Sequence, residues 1–82
     1  MADNWSITDQ GLNREFKFKS FTDLTAFLNR IAETADSMDH HPDLEVSKAV
    51  LLNVHLLTHD KKAITEKDHK LAEVMNETYL SF

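Results

Sequence analysis

The sequence predicts an α+β fold: an antiparallel β-sheet with helices packed on one face. Three patterns predict it. A stretch of strict polar–apolar alternation comes first, and a three-to-four periodicity follows it. After the single proline, strand-like runs again lead into a helix-like one. Strand patterning that gives way to helix patterning twice sets the order (β)βαββα.

The first strand is the segment Glu15-Phe16-Lys17-Phe18-Lys19-Ser20-Phe21. Phe16 and Phe18 point to one side, Lys17 and Lys19 to the other, as on a half-buried strand with one wet face. A short extra strand is expected near Trp5, within a mostly polar first dozen residues. From Phe21 the period changes. Phe21, Leu24, Phe27, Leu28, Ile31, Ala35 and Met38 recur at three and four, which predicts an amphipathic helix fading near Ser37. Ser20 with Asp23 three residues later forms its N-terminal capping signal. Pro42 lacks an N–H and biases His41 to an extended conformation, so the helix cannot run through His40-His41-Pro42. Leu44 and Val46 then suit a short strand. Residues 49–58 suit a longer one, with Val50, Leu52, Val54 and Leu56 on one face and Leu51, Asn53, His55, Leu57 and His59 on the other. Periodicity alone leaves a helix open for this run, while its β-branched content and the turn-like Asp60-Lys61-Lys62 favour the strand. Thr65-Glu66-Lys67-Asp68 is a second capping pattern. It opens a helix with Leu71, Ala72, Met75 and Tyr79 on one face.

Composition bounds what such a domain can do. Eighty-two residues give a single domain, 1–82. A chain this short buries roughly 60–65% of its unfolded surface, so self-association is a natural supplement to its core. With no cysteine, disulfides, thiolate zinc sites and cysteine nucleophiles are excluded. A net charge of −5 argues against a protein held by nucleic-acid phosphates or anionic lipid. No apolar run is long enough to span a bilayer. The N-terminal segment shows no basic stretch followed by an apolar one, so a cytoplasmic location is the expectation.

The informative residues are the five histidines, His40, His41, His55, His59 and His69. His69, one turn into a helix, and His55, within the long run, read as surface or structural residues. A metal reading rests on His55 and His59, four apart. That spacing serves a shared ion on a helix, but on a strand it separates the rings by roughly 13 Å. No serine stands in a G-x-S-x-G elbow, which sets aside a serine nucleophile. Acid–base chemistry fits best, because imidazole gives and takes protons near neutral pH. His40 and His41 leave the first helix and His59 ends the long strand, so loop and strand end can meet at one mouth of the sheet. Two imidazoles there can divide the roles of acid and base. Asp36, Asp39, Asp60 and Asp68 are near enough in sequence to orient the rings.

These residues resemble the signature of the pterin-4a-carbinolamine dehydratase family: an acidic residue, three positions, then H-H-P; a T-H at a strand end; and an Asp in T/S-E-x-D. Here they read Asp36-Ser37-Met38-Asp39-His40-His41-Pro42, then Thr58-His59-Asp60, then Thr65-Glu66-Lys67-Asp68. Trp5 and the Phe16/Phe18/Phe21 alternation agree in order and spacing, and the likeness extends from about Trp5 to Ala72. The resemblance implies dehydration of 4a-hydroxytetrahydropterin to quinonoid dihydropterin in tetrahydrobiopterin recycling, with no metal, redox cofactor or covalent intermediate. It implies acid–base roles for His40 and His59, and substrate positioning and assistance by His41. It also implies contacts to the pterin or to a histidine from Asp36, ring stacking by Trp5, and a substrate or capping role for Asp68. It further implies a homodimer formed across a sheet edge, or a homotetramer. A second function follows from it, that of a non-catalytic dimerisation module for a protein partner. The chain departs from the family pattern at Leu44, where an aromatic usually follows H-H-P, and near Lys48 or Ala49, where the next one is expected. It departs again at Lys61-Lys62, where Gly-Gly is usual. An extra residue between Pro42 and His59 predicts a bulge or a longer turn.

Overall fold

The computed structural model describes residues 4–82, so the first three positions of the predicted domain lie outside the described residues. The elements are β1 (Ser6–Thr8), β2 (Gly11–Lys17), α1 (Phe21–Met38), β3 (Asp43–Ser47), β4 (Leu51–Leu56) and α2 (Glu66–Tyr79). The strands form one antiparallel sheet in the order β1-β2-β4-β3. The α+β order with its extra N-terminal strand is therefore the order the chain adopts. No helix among the described residues is long and apolar enough to cross a membrane.

Side-chain parity decides which face is covered. Register pairs Leu12 with Leu56 and Phe16 with Leu52. These residues and Val54 are fully buried, together with Leu24 and Phe27 of α1 and Leu71 and Met75 of α2. The other parity carries Asn13, Glu15 and Lys17 beside His55, Asn53 and Leu51, and this face has no helix over it. Residues 51–56 are a strand, with the alternation expected of one, so the helical reading of this run is set aside. The helical spacing that a shared His55–His59 metal site requires is set aside with it. The first strand begins earlier than its alternation suggested, at Gly11. Phe18 extends it by one bond, its N–H donating to Val50 O at 2.9 Å. The stripe of α1 starts at Leu24, because Phe21 in the first turn is 56% exposed.

Aromatic rings fill the centre. Phe16 lies 5.0 Å from Phe27, 4.9 Å from Tyr79 and 5.9 Å from Trp5, centroid to centroid. The Arg14 guanidinium lies 4.2 Å from the centroid of the Phe16 ring, a cation–π arrangement. Burial there lowers the pKa of Arg14 from its usual value, with the Tyr79 phenol pulling it back up.

Three tight places in the backbone matter. The β1–β2 turn closes on Gly11, the chain's one glycine, at φ +98. A Cβ there would sit 2.0 Å from the carbonyl oxygen of Leu56 on the neighbouring strand. Gly11→Ala is expected to cost about 2–4 kcal/mol, combining left-handed strain with a clash against backbone that cannot rotate away. A urea melt measures this, and a variant as stable as the parent would contradict the packing described. Between Pro42 and His59 the chain makes a longer turn and no bulge. The β3–β4 ladder is unbroken from Asp43↔His55 to Ser47↔Leu51. The intervening turn places Lys48 at φ 54 and Ala49 at φ 64. Lys62, in the turn where glycines were expected, also takes a left-handed φ of 52.

Candidate active site

The site is built where α1 ends. Asp39 takes a left-handed φ of 50. The N–H of His40 donates to Ala35 O at 3.1 Å and that of Asp39 to Asp36 O, also at 3.1 Å. These two bonds make a Schellman motif, which satisfies the last carbonyls of the helix and folds the next residue back against it. His40 is that next residue, and only 8% of it is exposed. Pro42 keeps His41 out of the helical region, and the His41 ring lies outside, its side chain 57% exposed.

The start of α2 supplies the partner for His40. Thr65 is the N-cap and Asp68 the third helical residue. The Asp68 carboxylate is completely buried. Its Oδ2 accepts from the Thr65 N–H at 2.9 Å and from the Thr58 hydroxyl at 2.8 Å. Its Oδ1 meets His40 Nε2 at 2.5 Å. Thr58 lies two residues beyond β4, on the parity of Leu52, Val54 and Leu56, and is itself buried. Its hydroxyl also meets that of Thr65 at 2.6 Å. A buried carboxylate needs such a set of donors to offset its lost hydration.

The other two histidines pair with carboxylates at the surface. His41 Nε2 lies 2.8 Å from Asp36 Oδ1. His59 follows Thr58 on a turn in which the Lys61 N–H donates to Thr58 O and the Lys62 N–H to His59 O. Its Nε2 lies 3.5 Å from Asp43 Oδ2, and both side chains are about two-thirds exposed. His59 is thus tied, through Asp43, to the start of β3, directly after the segment that carries His40 and His41. Beside His41 a cavity of about 300 Å³ opens between α1 and β3, lined by Ile31, Ala35, Asp36, His41, Pro42 and Leu44 among others. Its wall is mostly apolar, with one carboxylate and one imidazole at its edge.

Two of the residues expected to contact the pterin, Trp5 and Asp68, are not among those that line the cavity. Trp5 is a core residue, 7% exposed. Its Nε1–H donates to Asn76 Oδ1 at 2.8 Å, and the same oxygen accepts from Arg14 Nη1. Asn76 is eight residues beyond Asp68, about 12 Å along the helix. In this structure Trp5 is a packed core ring bonded to the C-terminal half of α2. Asp68 does not face the cavity either. All its described contacts are to protein donors, so it holds the His40 ring and fills the capping role that the resemblance allowed.

Sequence reasoning missed three participants. Thr58 and Thr65 stood inside the quoted motifs without a role. The parity of β4 already placed Thr58 inward, and a buried hydroxyl calls for a partner. Asp43, not Asp60, faces His59. That depends on the register of the β3–β4 ladder, for which a single sequence carries no direct signal. Asp39 serves the backbone turn.

The chain matches the family model described as Pterin 4 alpha carbinolamine dehydratase over residues 1–78. It is 44% identical over 68 residues to a protein of Picosynechococcus sp., covering 83% of this chain and 73% of the relative. It is 45% identical over 74 residues to one of Metallosphaera sedula, covering 90% and 76%. Both relatives carry the name "Putative pterin-4-alpha-carbinolamine dehydratase". A crystal structure from Brucella melitensis, titled as a transcriptional coactivator/pterin dehydratase, superposes with a TM-score of 0.89 at 34% identity, covering 95% of this chain and 84% of the other.

Proposed function

Since the chain belongs to the pterin-4α-carbinolamine dehydratase family, we propose that it dehydrates a 4a-hydroxytetrahydropterin to the quinonoid dihydropterin by histidine acid–base catalysis. The supporting observation is that His40, His41 and His59 are each paired with a carboxylate around the connection from α1 to β3, with His41 and Asp36 on the wall of an apolar cavity there. The reaction breaks the C4a–O bond and removes the N5 proton as the C4a=N5 bond forms. The leaving hydroxide needs a proton to depart as water, and the N5 proton needs a base. Atoms and charge balance with one proton given and one taken, and no electrons are exchanged with a cofactor.

His40 and His59 carry the two transfers in this reading. His41, steadied by Asp36 at the cavity edge, positions the pterin and assists. The quinonoid product is at the dihydro level, so in this reading it re-enters the tetrahydrobiopterin pool only after a separate two-electron reduction by another enzyme. The test is an assay at pH 7.5 with freshly generated 4a-hydroxytetrahydropterin, corrected for the spontaneous reaction. Acceleration by the folded protein is expected, unchanged by a chelator. A rate equal to background would sink the reading.

A second reading, self-association that serves a protein partner, has its own support. β3 is an edge strand, and its Leu44 and Val46 are 44% and 45% exposed. They pair with Val54 and Leu52 of the covered face, so their apolar side chains extend the core to an unfinished edge. Such an edge offers free backbone donors and acceptors to a second strand. We propose a homodimer paired along β3. Light scattering should give twice the mass of the 9.4 kDa chain, and Val46→Lys should return the monomer. A parent protein that is monomeric at high concentration would rule out this interface.

A further inference from the structure

The hydroxyl of Thr58 is not assigned by anything above to the chemistry, and the bonding around Asp68 gives it a part. The two hydrogen bonds to Oδ2 are directional, and they fix the direction of the others. Thr65 N–H can only donate, and it donates to Oδ2. Thr58 Oγ1 donates its one proton to the same oxygen. The contact between the two hydroxyls is therefore Thr65 donating to Thr58. Two donors from fixed backbone positions, a strand end and a helix start, set the plane of the carboxylate and turn Oδ1 towards His40. A carboxylate is acceptor-only, so across the 2.5 Å contact between Oδ1 and Nε2 it is Nε2 that donates.

A neutral imidazole has one N–H, so the lone pair lies on Nδ1. We infer that Thr58, acting through Asp68, is a positioning residue that locks His40 in its Nε2–H tautomer and makes Nδ1 the nitrogen that exchanges a proton with substrate. The role of Nδ1 rests on the dehydratase reading; the tautomer does not.

Long-range ¹H–¹⁵N spectra of the whole protein read the tautomer directly, whether or not the protein is active. The parent should show His40 with a pyrrole-type Nε2 and a pyridine-type Nδ1, and the reverse would overturn the inference. Asp68→Asn gives a sharper result. Thr58 and Thr65 both donate at the Oδ2 position, so the amide oxygen must occupy it and the NH₂ must face His40. Nε2 then has to accept, and the proton should move to Nδ1. A folded Asp68→Asn protein that keeps Nε2–H would also overturn it.

Thr58→Val keeps the shape and removes the hydroxyl. Its kcat should fall up to about 100-fold, as misplaced catalytic groups do, with KM within about twofold, and Thr58→Ser should restore it. A Thr58→Val enzyme with the parent kcat would contradict the positioning role. If the parent protein has no dehydratase activity, the proposed function fails while the two spectra still decide the tautomer.

Discussion

His59→Ala is expected to lower kcat for pterin dehydration by about 10²–10⁴, the usual contribution of a positioned acid or base, while leaving the fold as stable as before. The two halves of the result have separate causes. The His59 side chain is 67% exposed and its contact with Asp43 is 3.5 Å long. Exposed pairs of this kind contribute about 0–1 kcal/mol, and surface substitutions shift stability by about 0.5 kcal/mol or less. Losing the ring therefore costs chemistry and little else. His40→Ala should behave differently. It strips one partner from a carboxylate with no exposure at all, and a buried polar group left unpaired costs about 1–3 kcal/mol or more. Its activity loss should come with a lower midpoint in urea. Rate assays and denaturation curves on both variants separate the cases. A His59→Ala enzyme with full activity would remove that residue from the mechanism.

Phe16→Ala should have the largest effect on stability. The ring is fully buried and touches Trp5, Phe27 and Tyr79, so little around it can collapse into the space it leaves. Such truncations cost about 3–5 kcal/mol. At roughly 0.05–0.15 kcal/mol per residue, a chain of 82 residues has about 4–12 kcal/mol in total. The variant should be close to unfolded at 37 °C, as circular dichroism against temperature would show. Phe21→Ala is the control. That phenylalanine is 56% exposed, and its loss should move the midpoint by no more than a few degrees. Equal effects for the two would mean that the packing at the sheet centre is not as described.

Local patterning was enough for the elements because each signal lies within a few residues. Leu52, Val54 and Leu56 share a buried parity, and Leu24, Phe27, Ile31 and Ala35 share a helical stripe. Ser20 accepts from the Asp23 N–H at 3.1 Å, as the capping signal suggested. The candidate site was legible in part for the same reason. Asp36 and His41 are five apart and meet across the end of one helix. Longer reaches escaped. Trp5 and Asn76 are 71 positions apart, so nothing near Trp5 announced its burial or its partner. Asp68 fills two of its expected roles at once: a capping carboxylate has two oxygens, and the second serves a histidine 28 positions upstream.

The left-handed turn at Asp39 has a consequence for how this segment tolerates change. Between it and the first paired residue of β3, Asp43, the chain has only His40, His41 and Pro42. One end is pinned by the helix terminus and the other by the strand ladder, so there is no slack to absorb an extra residue. Two neighbouring imidazoles face different surroundings, one dry and one wet, because of their count from that turn and nothing in their chemistry. A single alanine inserted after Asp39 would shift the count and exchange their places, or break one anchor to prevent it. Composition here is negotiable at several positions, and length is not.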